Sequence, residues 1–353
     1  MNERRLKQLW RHGTTIWLVL LLSFPDLRAQ DETPQTSGFG GHVISIPGLF
    51  FVEHSLLSTG APLLGDVGTR RISSVFESPE SNTAAAFPIA GELNYTFGNS
   101  RTQLFFGPGI EDILRLDVAF ALGVRQELGK VGNLTANLIL TPLQLKFWSD
   151  PYIEGEDRVR TSLDFPGFRI MWGSMFQTDF EMTVIARQFR YADERSGEWL
   201  VDQGRLNANQ VPSLIRNGEF LRIKASYKFK LKQHRLEPVF RYTLHNLEGK
   251  SVANKQQSIL LDYMYLSPKI VINALLTLGK RNADEIHPVY NETFSADRYG
   301  FALAAIFPIT LFNSNNWSFI ISGEYARENA NINFFNARIA ALNAGLMWRH
   351  KRD

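Results

Sequence analysis

The feature that most constrains the fold of this chain is a strict alternation of apolar and polar residues over long segments. From residue 221 to 232 every second residue is apolar, and the residues between them are basic or small and polar. A period of two indicates a β-strand with one apolar and one hydrated face. After residue 87 such segments recur, about 10 to 15 residues each, separated by short and long connections in turn. Because sandwich strands usually run to about five or six residues, the pattern favours a transmembrane β-barrel over a secreted β-sandwich.

We predict an all-β fold, a single transmembrane antiparallel β-barrel of about 14 strands, or of 12 if the 87–107 hairpin lies outside the wall. The predicted strands are 38–53, 87–98, 101–107, 113–127, 132–148, 165–176, 180–192, 218–232, 234–247, 255–267, 269–282, 297–310, 316–328 and 334–349. Long polar outer loops are expected at 54–86, 149–164, 193–217 and 283–296. Between them lie tight turns rich in Gly, Asn, Ser and Pro, as expected for turns on the periplasmic rim.

The N-terminal residues 1–29 have the features of a cleaved secretory signal peptide. A basic stretch precedes an apolar run at 15–22, and Ala29 offers a small residue at the cleavage position. The apolar run is about eight residues, whereas a spanning helix needs roughly 20, so cleavage is favoured over an N-terminal membrane anchor. We then expect a short periplasmic segment at 30–37 and the barrel over 38–353.

Charge and cysteine content limit the range of partners. The chain has 38 Lys and Arg and 35 Asp and Glu residues; five basic and two acidic residues lie in 1–29, so the remainder is formally neutral. Nucleic acid is therefore not an expected partner. The absence of Cys excludes disulfides and lipid attachment to Cys. We expect the cell outer membrane of a Gram-negative bacterium, with membrane lipids, lipopolysaccharide, periplasmic chaperones and the barrel-assembly machinery as partners.

Alternation also assigns charged side chains to the interior, because a charge facing lipid at the bilayer midplane costs about 2–4 kcal/mol. The predicted pore-lining residues are Arg115, Asp117, Arg125, Glu181, Arg187, Arg222, Lys224, Arg241, His245, Asp262 and Glu324. Basic residues outnumber acidic ones in this set. The hypothesis is therefore a porin-like channel for small hydrophilic solutes with a mild preference for anions, constricted by the loop 54–86.

The alternative is a non-conducting structural or adhesion barrel that acts through its outer loops 54–86 and 193–217. In that case the inward charges pair with one another and fill the interior, as Arg241 would with Glu324.

No catalytic role is predicted. His245 is the histidine at a depth suited to a catalyst near the outer rim, and Asp262 on the next strand is its nearest candidate partner. The sequence has no Ser or Asn at a spacing that suggests a triad, no metal-ligand spacing and no phosphate-binding loop. We expect neither enzymatic activity nor a cofactor.

Three groups of residues carry a resemblance to a known family. They are 38–43 with the sequence GFGGHV; 91–97 (GELNYTF) followed by 103–107 (QLFFG); and 148–152 (WSDPY) followed by Gly155, Arg158 and Thr161. As a set they resemble the domain-of-unknown-function 2860 (DUF2860) family of Gram-negative bacteria, most densely over 38–192. The resemblance implies an outer-membrane barrel of unassigned role and no particular substrate.

Overall fold

The computed structural model describes residues 37–58, 66–108, 120–141 and 146–350. The predicted signal peptide and most of the 30–37 segment lie outside these residues. The described residues form nineteen β-segments in one antiparallel sheet. They are β1 (Gly38–Ser45), β2 (Gly48–Glu53), β3 (Ser81–Ala86), β4 (Ile89–Phe97), β5 (Thr102–Gly107), β6 (Phe120–Glu127), β7 (Asn133–Leu140), β8 (Lys146–Trp148), β9 (Arg160–Asp164), β10 (Gly167–Gly173), β11 (Phe180–Tyr191), β12 (Gly218–Tyr227), β13 (Phe229–Leu231), β14 (His234–Leu247), β15 (Asn254–Leu266), β16 (Val271–His287), β17 (Glu292–Leu311), β18 (Ser314–Ala330) and β19 (Ala337–His350).

The nineteen segments build a closed barrel of fourteen wall strands in the described part of the chain. Five pairs of consecutive segments each form one kinked strand: β1–β2, β3–β4, β7–β8, β9–β10 and β12–β13. The predicted fold class is confirmed. The alternative of 12 strands is wrong, because the 87–107 hairpin lies in the wall, where β4 pairs with β1 and β5 pairs with β6.

Prolines set two of the kinks in the wall. Pro47 separates β1 from β2, and Pro88 separates β3 from β4. Proline has no N–H to donate and so interrupts a β-ladder. The ladder continues across both kinks, because the Ile46 N–H donates to the Pro88 carbonyl oxygen at 3.3 Å and the Ala344 N–H to that of Pro47 at 3.0 Å. β19 can therefore pair with both β1 and β2, which closes the barrel.

The outside of the barrel is an apolar surface. Large apolar side chains are exposed there at alternate positions, and their neighbours along each strand are mostly buried, so the period of two holds around the wall. Examples are Leu93, Phe106, Leu122, Leu138, Phe168, Phe240, Ile259, Leu276, Phe301 and Ile321. In the described part of the chain no helix is long and apolar enough to cross a membrane.

Three predicted loops are shorter than expected. The predicted loop 149–164 contains β9 (Arg160–Asp164). The predicted loop 283–296 is wrong, because β16 runs to His287 and β17 begins at Glu292, leaving a turn at 288–291. Ala283, His287 and Phe294 are buried inside, but the register shifts between Asn282 and Ile286 and most of the exposed residues there are polar, so the segment resembles a loop in sequence. The predicted loop 54–86 also contains β3, which pairs with β2 from Gly48 opposite Ala86 to Glu53 opposite Ser81.

The barrel has two different ends. Short connections form the turn end, and at the other end the segments 54–58, 66–80, 146–164, 192–217 and 331–336 pack into what we call the cap. The cap holds a short helix α1 (Glu198–Asp202) and a 3₁₀ segment (Ala208–Leu214). Single β-bridges join Leu57 to Phe147 and Ile72 to Glu154. The described part of the loop that we predicted to constrict the barrel thus lies in the cap, against the β8–β9 hairpin.

The apolar wall predicts a dependence of stability on depth. Leu261 lies in the middle of β15 with its side chain 42% exposed, and Leu231 lies at the turn end with 70% exposed. We expect Leu261→Arg to lower the free energy of unfolding by about 2–4 kcal/mol and Leu231→Arg by about 0–1 kcal/mol, as for midplane and interfacial positions. Urea unfolding of the protein folded in lipid vesicles would measure both. Equal losses would contradict a lipid-facing position for Leu261.

Candidate functional site

The inner face of the barrel differs between its two sides. On β15–β19 most inward residues are almost fully buried, both apolar ones such as Leu260 and Leu275 and polar ones such as Asp262 and Glu324. On β10–β12 the inward Arg169, Arg222 and Lys224 are only half-buried. Since side chains without solvent contact are packed against others, the lumen is filled along β15–β19 and accessible to water along β10–β12.

Two of the predicted pore-lining residues form ion pairs near the turn end. Arg125 donates from Nη1 to Oε1 of Glu92 at 2.9 Å, and its guanidinium lies 3.7 Å from the centroid of the Phe105 ring. Glu181 accepts a hydrogen bond from the Lys228 ammonium at 2.8 Å. The negative charges of Glu92 and Glu181 are thereby compensated. The sequence analysis did not predict Glu92 and Lys228 as the partners of Arg125 and Glu181.

Four further predicted residues lie on the inner faces of β11, β12 and β14. Arg187 donates to the Phe165 carbonyl oxygen at 3.0 Å, and Arg222 donates to the Thr243 hydroxyl at 3.2 Å. Lys224 and Arg241 stand directly opposite each other in the register of β12 and β14. This side of the lumen therefore concentrates positive charge.

The remaining predicted residues do not form the expected pairs. His245 stands opposite Asn254, whereas Asp262 stands opposite Glu237, eight residues further along β15. The expected approach of Asp262 to His245 is therefore wrong, and Asp262 instead accepts a hydrogen bond from Asn273 at 2.7 Å.

Glu324 is buried between the register positions of Ala302 and Ala341, and it forms no ion pair with any described residue. The expected pair with Arg241 is therefore wrong, because the two residues lie on strands that are not neighbours. Arg115 and Asp117 lie outside the described residues.

The Asp150 carboxylate ties two segments of the cap together. Its Oδ1 accepts hydrogen bonds from the backbone N–H groups of Tyr152 at 2.9 Å and Gly197 at 3.1 Å, and its Oδ2 from that of Trp199 at 3.0 Å. A carboxylate at the first turn of a helix satisfies N–H groups that have no partner in the helix. Asp150 thus caps α1 from a different segment of the chain.

A second cap anchor is the buried ion pair of Arg216 with Glu194. Arg216 Nε donates to Glu194 Oε2 at 2.9 Å, and its Nη2 donates to the carbonyl oxygens of Trp148 at 2.8 Å and Ser149 at 2.9 Å. Burial opposes the charge of Arg216, but the Glu194 carboxylate outweighs burial and raises the pKa of the guanidinium. The Arg216 guanidinium therefore stays charged, and it holds the 192–217 segment against the end of β8.

Tyr152 connects the cap to the wall. Its hydroxyl lies 3.1 Å from Nε2 of His287 at the end of β16, and its ring stacks on Phe334 at 5.5 Å between centroids. Burial raises the pKa of the Tyr152 phenol. The neutral hydroxyl therefore serves as a fixed hydrogen-bonding group between the cap and the barrel wall.

A cavity of about 180 Å³ lies between the cap and the wall. One part of its lining is aromatic: Phe147, Tyr152, Phe189, Tyr191, Phe294 and Phe335. The other part is polar: His54, Arg216, His245, Gln256, Arg281, His287, Arg298 and Glu328. Within the described ranges, no group of three or more His, Asp or Glu residues could hold a metal ion.

The central polar group of the cavity consists of two arginines that share one carboxylate. Arg281 Nη1 donates to Glu328 Oε1 at 2.9 Å, and Arg298 Nε lies 2.7 Å from Glu328 Oε2. Arg281 Nε also donates to Asn254 Oδ1 at 2.8 Å. Sequence reasoning missed this trio although all three residues lie in predicted strands, 269–282, 297–310 and 316–328. Glu328 has the same inward parity as Glu324, so following the alternation to the ends of these strands is the signal that would have found it.

Comparison with known proteins identifies the family. The model of the DUF2860 family, described as "Protein of unknown function (DUF2860)", matches residues 46–349. The chain belongs to the DUF2860 family. No curated protein matches the chain. The segments that resembled the family have structural roles here: Asp150, Tyr152 and Arg158 build the cap, and Glu92 belongs to the ion pair at the turn end.

Solved structures of outer-membrane barrels are similar to this DUF2860 protein in outline only. An anion-selective porin from Comamonas acidovorans is 7% identical with a TM-score of 0.40, covering 89% of this chain and 100% of the porin. The COG4313 outer membrane channel from Pseudomonas putida F1 is 9% identical with a TM-score of 0.41, covering 92% and 100%. The CymD monoaromatic hydrocarbon channel is 8% identical with a TM-score of 0.44, covering 90% of each chain.

The Asp150 anchor predicts a local effect on the cap. Asp150→Ala leaves three backbone N–H groups without their acceptor, so we expect a loss of about 2–4 kcal/mol in local stability and faster proteolysis within 192–217. Asp157→Ala is the matched control, because Asp157 forms only half-exposed ion pairs with Arg70 and Arg71. Limited proteolysis of the folded barrel would compare the variants; equal cleavage rates would contradict the anchor role.

Two inward carboxylates on β18 predict opposite effects of the same substitution. Glu328→Gln leaves Arg281 and Arg298 without a buried counter-charge, and we expect the free energy of unfolding to fall by about 3–5 kcal/mol. Glu324→Gln removes a buried carboxylate that has no ion-pair partner among the described residues, so stability should stay equal or rise. Urea unfolding at neutral pH would measure both. A loss in Glu324→Gln as large as that in Glu328→Gln would contradict this assignment.

Proposed function

We propose that this protein is an outer-membrane channel for small hydrophilic solutes, closed on its outer side by the cap. The observation that carries the proposal is the half-buried basic lining of the lumen on β10–β12; one of these strands, β11, also lines the cavity beneath the cap through Phe189. A wall made only to be stable would be filled by side chains on every side. The apolar outer surface supports insertion into a membrane, with the turn end in the periplasm and lipopolysaccharide around the cap end.

The inward charges support a preference for anions. On β10–β14 the inward basic residues Arg169, Arg187, Arg222, Lys224, Arg235 and Arg241 outnumber the acidic Glu181 and Glu237. In a confined aqueous lumen such an excess raises the local concentration of anions and lowers that of cations. The mechanism of selection is thus electrostatic.

A series of side-chain contacts connects the basic lining of β12 to the cavity. The Arg222 guanidinium lies 4.9 Å from the centroid of the Phe220 ring, and Phe220 stacks on His245 with 5.3 Å between centroids. His245 in turn lines the cavity. Along β12 the positive charge of Arg222 and Lys224 therefore lies nearer the turn end, and the aromatic surface lies nearer the cavity.

A second candidate function is a non-conducting structural or adhesion barrel that acts through the cap. The packing of the cap favours it, since Tyr152, Leu200, Leu214 and Phe334 form a buried apolar cluster that closes the mouth of the barrel. The two candidates differ in whether the cap opens.

Conductance measurements separate the two candidates. For a channel we expect discrete current steps in a planar bilayer, a reversal potential that indicates anion preference, and more frequent opening in Asp150→Ala, whose cap is loosened. Arg222→Glu should shift the reversal potential toward cations, because it replaces a positive charge in the lumen by a negative one.

Lys280→Glu is the control for Arg222→Glu, since it makes the same charge change on the outer face, where the Lys280 side chain is 76% exposed. The reversal potential of this control should not change. A folded barrel that conducts neither as wild type nor as Asp150→Ala would refute the channel and favour the adhesion or structural barrel.

A further inference from the structure

We infer that the cavity beneath the cap binds a small aromatic anion, a single ring that carries a carboxylate. The inference names a solute class for the proposed channel and rests on that function for its biological meaning. Binding itself, however, depends only on the residues that line the cavity.

The volume of the cavity limits the occupant to one ring. A dry apolar cavity of about 150 Å³ in a protein core accommodates benzene. The cavity of about 180 Å³ therefore has room for one ring with a small substituent and excludes a disaccharide or a peptide.

The apolar part of the lining suits an aromatic ring. Phe294 and Phe335 meet edge to face at 5.3 Å between centroids, and Phe147 and Tyr191 meet in the same way at 5.6 Å. Aromatic rings prefer offset or edge-to-face neighbours, and the cavity offers such surfaces from both the wall and the cap. A ring would make these contacts, whereas a compact inorganic anion would leave them unused.

Among the buried charged groups of the lining, one positive charge is in excess; the more exposed Arg338 pairs with Glu53, and Arg327 is exposed. Arg281 and Arg298 share the single carboxylate of Glu328, and Arg298 makes no hydrogen bond to another described residue. The Arg216 guanidinium is already balanced by Glu194 at 2.8 Å. A buried charge without a full counter-charge is costly, and a ligand carboxylate beside Arg298 would supply it.

The other polar groups of the cavity do not cancel this excess. Burial lowers the pKa of His54 to about 4, with the Glu328 carboxylate opposing the shift and Arg281 adding to it. His54 is therefore neutral near pH 7. Nε2 of His245 and Oε1 of Gln256 are buried without a hydrogen-bond partner in the described part of the chain. They provide neutral polar positions around a bound carboxylate or its hydration water.

Binding assays with three matched probes test the charge and the ring together. We expect isothermal titration calorimetry on the refolded protein in micelles to show that benzoate binds at least about tenfold more tightly than benzyl alcohol, because only benzoate compensates the arginine pair. Benzylammonium should not bind. Equal binding of benzoate and benzyl alcohol, or preferred binding of benzylammonium, would overturn the inference.

Variants locate the site. Arg298→Gln keeps the Arg281–Glu328 pair, so the barrel should fold, and the affinity for benzoate should fall at least about tenfold while that for benzyl alcohol stays the same. Lys280→Gln removes a positive charge next to Arg281 in sequence but on the outer face, and it should change neither affinity. Equal effects of the two substitutions would overturn the site.

A second variant keeps the test decisive if Arg298→Gln fails to fold. Phe335 lies in the 331–336 cap segment and lines the cavity. Phe335→Leu should weaken benzoate and benzyl alcohol by the same factor, because it removes ring contacts and no charge. An unchanged affinity for both probes would contradict the ring site.

The binding and conductance experiments fail independently. Binding of benzoate to a barrel that never conducts would refute the channel and leave the binding site standing. Conductance in a barrel that does not bind benzoate would refute the binding site and leave the channel standing.

Discussion

The closed backbone ladder is the constraint on which the rest of the structure depends. In a bilayer every strand edge must be paired, since lipid offers no hydrogen bonds to a free edge. β19 meets this demand by pairing with β1 from Ser45 to Gly41 and with β2 from Glu53 to Gly48, on either side of Pro47. Closure fixes the position of every strand in the wall, and thereby which charged side chains meet in the lumen.

The alternation of apolar and polar residues predicted the wall strands well, because lipid requires every outward residue in the apolar band to be apolar. Where one face must be apolar, the period of two is visible in sequence, and fourteen strands follow from the turns between them. The same argument explains the misplaced ends of β16 and β17. Beyond the apolar band the outward residues, such as Asn282 and Asp284, are polar, so nothing in the sequence separates a wet strand from a loop.

The cap could not be predicted from sequence, because it depends on contacts between distant segments. Asp150 bonds to N–H groups 47 and 49 residues away, and Arg158 donates to the carbonyl oxygen of Ser55, 103 residues away. The WSDPY segment resembled a family motif, yet its local pattern shows only a break in a strand. The structure shows the role of this segment. Trp148 is fully buried, and the Asp150 carboxylate accepts a hydrogen bond from the backbone N–H of Trp199 in the first turn of α1.

The residues that close the cap also line the cavity, and this links occupancy to opening. Tyr152 and His287 bond to each other across the boundary between cap and wall, and both face the cavity. Arg216 holds the 192–217 segment through Glu194 and lines the same cavity. A solute in the cavity therefore touches the contacts that must break for the cap to move. If the solute binds the closed and the open cap with different affinity, its binding shifts the equilibrium between these two states. A barrel with this geometry can therefore couple solute binding to passage without a separate sensor.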